Sequence, residues 1–247
     1  MKTILVTGGT GSLGRPTVKA LRAAGHSLRI LSRQPGIDHV RGDLTTGEGV
    51  AAAVEGVDTV LHLATSRGHA DVRQTENLLE HSRGVGHLIF ISIVGIDQIP
   101  LRYYRDKVAV ERLVTESSIP STILRATQFY DLADEVLTAQ RFLPVLLAPA
   151  IPLQPISVED VAARLTELVA GPPAGRVADL GGPEQLTVPE LARAWKRAKG
   201  SRRPVLPLRL PGKTFRAFAE GAAMPATVHP SSRTFDDYLS QRFGVPT

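Results

Sequence analysis

The stretch that most constrains this chain is Thr7-Gly8-Gly9-Thr10-Gly11-Ser12-Leu13-Gly14, with glycines spaced three apart at Gly8, Gly11 and Gly14. It follows Lys2–Thr7, a β-branched apolar run that reads as a buried strand, and it opens Gly14–Ala24, which reads as a helix ended by Gly25. In a strand–loop–helix setting each glycine has a physical task. One makes the tight turn, one lets the backbone approach a pyrophosphate, and one lets the helix pack closely on the strand. The helix N-terminus then offers unpaired N–H groups and its positive dipole end to phosphates. Gly8, Thr10, Gly11, Ser12, Leu13 and Gly14 are therefore expected to hold a dinucleotide; the alternative is a glycine-rich turn with no ligand. The loop lacks the Gly-Lys-Ser/Thr ending of a nucleoside-triphosphate-cleaving loop, which argues against that chemistry.

Beyond the loop, short apolar runs alternate with longer amphipathic ones. Strands are expected at Ser27–Ser32, His39–Arg41, Asp58–Leu63, Leu88–Ser92 and Ser121–Leu124, and helices at Thr46–Val54, Asp71–Ser82 and Tyr103–Ser117. Such alternation implies βαβ units and a parallel sheet covered on both faces, so the expected fold is α/β, a Rossmann-type doubly wound sheet. After Leu143 the pattern loosens at Pro144, Pro149, Pro152 and Pro155. Helices at Val158–Val169 and Val188–Lys199 and a short strand at Val177–Leu180 are expected there. The chain thus divides into a dinucleotide-binding domain, 1–143, and a small C-terminal substrate lobe, 144–247, partly interleaved with the sheet.

Charge and composition narrow the partners. The absence of cysteine removes disulfides, thiolate metal sites and cysteine nucleophiles. The histidines (His26, His39, His62, His69, His81, His87 and His229) show no ligand spacing, so no metal is expected, and His62 reads as packing. Asp131 and Asp134–Glu135 read as helix-surface acids. The net charge of +5 admits nucleic acid, an anionic membrane or an anionic cofactor. Much of it lies in Lys196, Arg197, Lys199, Arg202, Arg203, Arg209 and Lys213, a run whose only aromatics are Trp195 and Phe215 at its ends. That run reads as a solvated loop rather than a stacking platform, so neither nucleic acid nor membrane is expected as a partner. The apolar start is shorter than a signal-peptide core, and the longest apolar stretch is too short to span a bilayer; the cytoplasm is the expected compartment. At the end of the second strand stands Arg33, where an NAD-selective protein usually carries an acid. With Arg15 and Ser32 nearby in sequence, it points to a ribose 2′-phosphate, hence NADP(H) in preference to NAD(H).

With Gly42-Asp43-Leu44 after the third strand and Leu61-His62-Leu63-Ala64 after the fourth, the sequence resembles the short-chain dehydrogenase/reductase superfamily. More narrowly it is similar to the atypical, NmrA-like branch of NAD(P)-binding oxidoreductases and epimerase-like proteins, a likeness that reaches Ile123–Phe129, Val158–Ala162 and Thr234–Leu239. The resemblance implies Asp43 and Leu44 at the adenine, Ala64 and Thr65 along the ribose and pyrophosphate, and Gln128 and Phe129 beside nicotinamide or substrate. It also implies that Tyr103 and Lys107, the family's Tyr-x-x-x-Lys pair, are catalytic together with Ser92. A nearby ammonium favours ionisation of a phenol whose ordinary pKa is about 10. Tyr103 would exchange a proton with a substrate oxygen, Lys107 would also bind the nicotinamide ribose, and Ser92 would hydrogen-bond the same oxygen. One departure stands out: Asp71 occupies the place of the family's asparagine, and a carboxylate cannot donate as an amide does. The expected function is an NADP(H)-dependent oxidoreductase acting on a small carbonyl or quinone-like compound. The alternative, from another class, is a non-catalytic NADP(H)-sensing regulator that binds a partner protein. The segment after Leu143 is small for a sugar-nucleotide epimerase.

Overall fold

The computed structural model of the protein describes residues 2–66, 70–225 and 232–244. In chain order the elements are β1 (Thr3–Thr7), α1 (Gly14–Ala23), β2 (Ser27–Ser32), β3 (His39–Arg41), α2 (Val50–Val54), β4 (Thr59–His62), α3 (Ala70–His81), β5 (His87–Ile93), α4 (Arg102–Glu116) and β6 (Ser121–Ala126). There follow α5 (Tyr130–Ala139), β7 (Leu146–Pro149), β8 (Pro152–Leu153), α6 (Val158–Ala170), β9 (Gly175–Arg176), β10 (Leu186–Thr187), α7 (Val188–Ala198), β11 (Val205–Leu208), α8 (Lys213–Ala219) and α9 (Phe235–Phe243).

These elements form two compact units. The first comprises the residues up to Ile93, Leu101–Arg125 and Val161–Ala178; the second comprises Val94–Pro100, Ala126–Asp160 and the residues from Asp179 onward. A single boundary after Leu143 therefore does not describe the chain. The reason is hydrogen bonding: β9 pairs in parallel with β6, the Val177 N–H donates to the Ile123 carbonyl, and the Lys2 ammonium donates to the Val169 carbonyl. Residues 161–178 thus belong with the sheet.

The first unit carries the sheet in the order β3-β2-β1-β4-β5-β6-β9, the strand order of a Rossmann fold with one strand added at the β6 edge. The β2–β3, β1–β2, β1–β4, β4–β5 and β6–β9 pairs are parallel. Strands buried on both faces need continuous apolar runs, and Ile4, Leu5 and Val6 on β1 and Leu88, Ile89 and Phe90 on β5 supply them. On one face Leu5, Leu31, Val60, Leu88 and Phe90 pack with Val50, Val54, Leu78, Val110 and Val114 from the covering helices. The helix expected from Thr46 begins only at Val50. Gly47 and Gly49 adopt positive φ (81° and 73°), and the Asp43 carboxylate caps a turn at the Thr45 N–H, so the chain bends where a helix would otherwise propagate. The strand expected at Val177–Leu180 lies earlier, at Gly175–Arg176, and Leu180 makes only an isolated bridge to Ala126 in the second unit.

In the second unit, β7 pairs in parallel with β11 and β8 antiparallel with β10. Its core gathers around the fully buried Trp195 of α7, with Tyr130, Leu137, Leu146, Leu191, Phe235 and Leu239. Two helices begin with capping boxes: Thr187 with Glu190 starts α7, and Thr234 with Asp237 starts α9. Asp134 is no surface acid. It is buried, accepts the Trp195 indole N–H at 2.7 Å, and pairs with Arg242 at 3.1 Å. Asp131 beside it has a carboxyl held above the usual carboxylate range by burial and then by Glu159, Glu135 and Asp134. Part of the expected basic loop is a strand, since Val205–Leu208 form β11, while Lys199 and Arg203 lie over the Trp195 ring.

Candidate active site

The glycine loop is built as the sequence requires. Gly8 has φ +71°, and a Cβ there would stand 2.6 Å from the Ala64 nitrogen, so only glycine lets β1 and the end of β4 come this close. The Gly11 N–H donates to the Gly8 carbonyl at 3.0 Å, closing the turn. A Cβ on Gly14 would meet the Gly8 carbonyl oxygen at 2.1 Å, which makes Gly14 the packing glycine. Gly11 is exposed, and a Cβ there would stand 3.3 Å from the Gly8 carbonyl oxygen, a milder crowding than at Gly8 or Gly14. Leu13 precedes α1 without a side-chain cap, and no acid lies in the first turn. The first N–H groups of the helix are thus unopposed by protein charge.

Beside the loop opens a groove of about 460 Å³, lined by Gly9 and Thr10, by Arg15, Val18, Lys19 and Arg22 of α1, and by Ile30, Ile37 and His39. Its charged walls are basic. The Arg15 side chain is steadied by donating to the Thr10 carbonyl at 2.9 Å, and Arg22 is paired with Asp38. Arg33 is exposed just beyond β2, and Ser32 accepts the Gln34 N–H. Of the residues expected at the adenine, Asp43 keeps one carboxylate oxygen on the Thr45 N–H. The Leu44 side chain is buried in the core, with its carbonyl taken by the Asn77 amide, so it presents no side chain to a ligand.

The strand ends are wired together through one histidine. Thr75 donates its hydroxyl proton to the Asp71 carbonyl at 2.8 Å, so its oxygen accepts from His62 Nε2 at 3.1 Å. His62 Nδ1 then accepts the Thr7 hydroxyl at 2.7 Å, and the Thr7 oxygen accepts the Ala64 N–H at 3.3 Å. Every proton in this chain is assigned, and the imidazole is neutral. Burial first, and then the Lys107 charge, hold its pKa down at about 3 against the opposing pull of Asp71.

Next to Ala64 lies Thr65, and there the loop meets the Tyr-x-x-x-Lys helix. The Tyr103 hydroxyl is 3.1 Å from Thr65 Oγ1, which donates to Asp71 Oδ2 at 2.6 Å. Lys107 Nζ is 3.2 Å from the same carboxylate oxygen, with both side chains almost fully buried. The ammonium also lies 5.2 Å from the centre of the Phe90 ring and 5.7 Å from that of Tyr103. Asp71 Oδ1 accepts the N–H and the hydroxyl of Ser66. Burial works to raise the Asp71 carboxyl, but Lys107 and the Thr65 and Ser66 hydrogen bonds together hold it below the usual carboxylate range. Asp71 is therefore the hub of the site, a role its mismatch with the family's asparagine did not suggest. The signal was present in Thr65-Ser66, hydroxyls a few residues ahead of an acid that starts a helix.

Ser92 sits on β5 in the same unit, buried, with a hydroxyl that has no hydrogen-bond partner among the described residues. Gln128 and Phe129 belong to the second unit, where the buried polar atoms of the Gln128 amide likewise have none. Among the described residues no group of His, Asp and Glu has the geometry of a metal site; His69 and His229 lie outside them. No helix among those residues is long and apolar enough to cross a membrane.

Comparison with known proteins agrees with this architecture. The chain is 29% identical over 226 residues to the chloroplastic divinyl chlorophyllide a 8-vinyl-reductase of Oryza sativa subsp. indica, covering 76% of this chain and 56% of that protein. It is 27% identical over 210 residues to the (4-alkanoyl-5-oxo-2,5-dihydrofuran-3-yl)methyl phosphate reductase of Streptomyces griseus, covering 80% and 74%. The chain spans about half the length of the first curated relatives it matches, 56% and 50%. Among solved structures, an NADPH-dependent quinone oxidoreductase of Escherichia coli in complex with NADPH superposes with a TM-score of 0.82 at 20% identity, over 97% of this chain and 99% of that one. The triphenylmethane reductase of Citrobacter sp. gives 0.81 at 17% identity, over 98% and 100%. The profile of the NmrA-like family matches residues 1–237, and the chain belongs to that family.

Proposed function

We propose that the protein is an NADP(H)-dependent oxidoreductase that reduces a small carbonyl or quinone-like compound. The observation that carries this reading is the meeting of the glycine loop and the Tyr103–Lys107 helix across Ala64 and Thr65. Gly8 is packed on Ala64, and the next residue binds the Tyr103 hydroxyl. A dinucleotide whose pyrophosphate rests on Gly11, Ser12 and the N-terminus of α1 would run toward that tyrosine.

The residues present suit the cofactor. The uncapped helix end and the exposed Gly11 fit a pyrophosphate, and the basic groove at Thr10 and Arg15, with Arg33 beyond β2, fits a 2′-phosphate. When bound, NADPH supplies hydride. Tyr103 would hold the proton for a substrate oxygen, Ser92 would offer to that same atom a hydroxyl that has no partner among the described residues, and Lys107 would reach the ribose. Asp43, Ala64 and Thr65 would line the nucleoside. Relatives that are reductases, and a fold shared with an NADPH-bound quinone oxidoreductase, support the reading.

The test uses the purified chain with NADPH and NADH and a panel of quinones, aldehydes and ketones. NADPH should bind and be oxidised. The Tyr103→Phe variant should reduce aldehydes and ketones about 10²–10⁴-fold more slowly, while quinone reduction, which asks less of a proton donor, should change little. Arg33→Ala should weaken NADPH binding selectively; equal weakening of NADPH and NADH would remove the 2′-phosphate assignment. Binding of NADPH without oxidation across the panel would favour the regulator instead.

A further inference from the structure

The acid at the asparagine position does something an amide cannot. Thr65 has one hydroxyl proton, and that proton is directed at the Asp71 carboxylate at 2.6 Å. The Thr65 oxygen is therefore the acceptor of its 3.1 Å contact with Tyr103, and the phenol is the donor. The same Asp71 oxygen lies 3.2 Å from the Lys107 ammonium, in surroundings almost closed to water. A buried ammonium with a buried carboxylate beside it presents little net charge to a ring 5.7 Å away.

We infer that Asp71 is a positioning residue that offsets the Lys107 charge beside Tyr103 and, by anchoring Thr65, holds the phenol as a hydrogen-bond donor. The inference rests on the proposed reductase reading for its chemistry but not for its test. In the step it describes, bound NADPH would supply hydride to the substrate carbonyl carbon. The C=O π pair moves to oxygen and takes the Tyr103 proton after rotation about the phenol C–O bond. Tyr103 is left as phenolate, with Thr65 beside it, and recovers its proton from solvent.

Among the described residues, the titratable groups tied to the Tyr103 hydroxyl are Lys107 on its own helix and Asp71 on α3, and His62 on β4 feels the charge of both. His62, buried with a pKa of about 3, remains neutral throughout. Asp106 lies one turn along α4 and has a partner of its own. Among the described residues, the charge balance at the phenol is thus set by Lys107 and Asp71.

The experiment is an ultraviolet titration of phenolate absorbance in the cofactor-free full chain, with the Tyr103→Phe variant subtracted to isolate Tyr103 from the other tyrosines. In Asp71→Asn, where the ammonium is uncompensated, the Tyr103 signal should appear at a pH lower by about one unit, a tenfold change. Thr65→Val should move it less, and Thr65→Ser should restore the parental curve. An unchanged curve in a folded Asp71→Asn protein overturns the assignment. If Asp71→Asn does not fold, Thr65→Val decides: identical titration to the parent and to Thr65→Ser overturns it. Should the titration shift while no compound is reduced with NADPH, the reductase reading fails and the Asp71 assignment stands. Reduction without any titration shift overturns the Asp71 assignment and leaves the reductase reading in place.

Discussion

The neutral, buried His62 makes the stability of the protein depend on pH in a calculable way. An unfolded chain binds a proton on this imidazole near pH 6.5, but the folded chain resists it until about pH 3. A base whose folded pKa is depressed stabilises the fold fully above its unfolded pKa, and that contribution is lost as pH falls. At about 1.4 kcal/mol for each pH unit, the loss from His62 reaches about 2 kcal/mol at about pH 5 and about 5 kcal/mol by the time the folded group itself titrates. The assay is urea unfolding by circular dichroism across this range, in the parent and in His62→Gln. The variant should start less stable, because Thr7 and Thr75 lose well-placed partners and the ring leaves its 5.6 Å contact with Phe90. The gap should then narrow by about 2 kcal/mol between about pH 7.5 and pH 5. His87, held down at about 4 by burial and then by Lys2, contributes a similar slope to both proteins and cancels in the comparison. Parallel curves would refute the reasoning, since they would mean that the folded state takes up a proton at His62 as readily as the unfolded one.

Three further outcomes are expected. Gly14→Ala places a methyl group 2.1 Å from the Gly8 carbonyl, so it should cost about 1–3 kcal/mol in thermal unfolding and weaken NADPH binding at the same time. Trp195→Phe removes the indole donor from the buried Asp134 carboxylate; a loss of about 1–3 kcal/mol beyond the change in packing should appear in urea unfolding. Arg125→Met leaves Glu111 without its two-pronged partner at 2.7 and 2.6 Å and should destabilise by about 3 kcal/mol, most of it recovered in the Arg125→Met/Glu111→Leu double variant.

The first unit was largely legible in the sequence, because its strands are buried on both faces and its turns are punctuated by glycine. Ser27–Ser32 and His39–Arg41 fall where expected, and Gly8 and Gly14 do what their spacing demands. The errors have local causes. Positive φ at Gly47 and Gly49 stopped a helix that apolar periodicity alone would have extended. Asp134 looked like a surface acid because its partners, Trp195 and Arg242, are remote in sequence. In the site, Tyr103 and Lys107 were visible as a local pair. The function of Asp71 was not, because it depends on Thr65 lying in reach of Tyr103 across the sheet's end, a tertiary fact. The strands β7 and β11 were hidden by their prolines, which sit in a two-stranded ladder with few donors to lose.

The return of residues 161–178 to the sheet sets a timetable for biosynthesis. β9 lies beyond α5, β7 and α6 in sequence but completes the ladder begun by β6. On a ribosome, the sheet edge at Thr122 and Ile123 stays bare until some fifty more residues have been made (β9 pairs Gly175 with Thr122). A chain stopped after Leu143 would carry that bare edge permanently. Truncation there should yield an aggregating fragment rather than a minimal dinucleotide-binding domain.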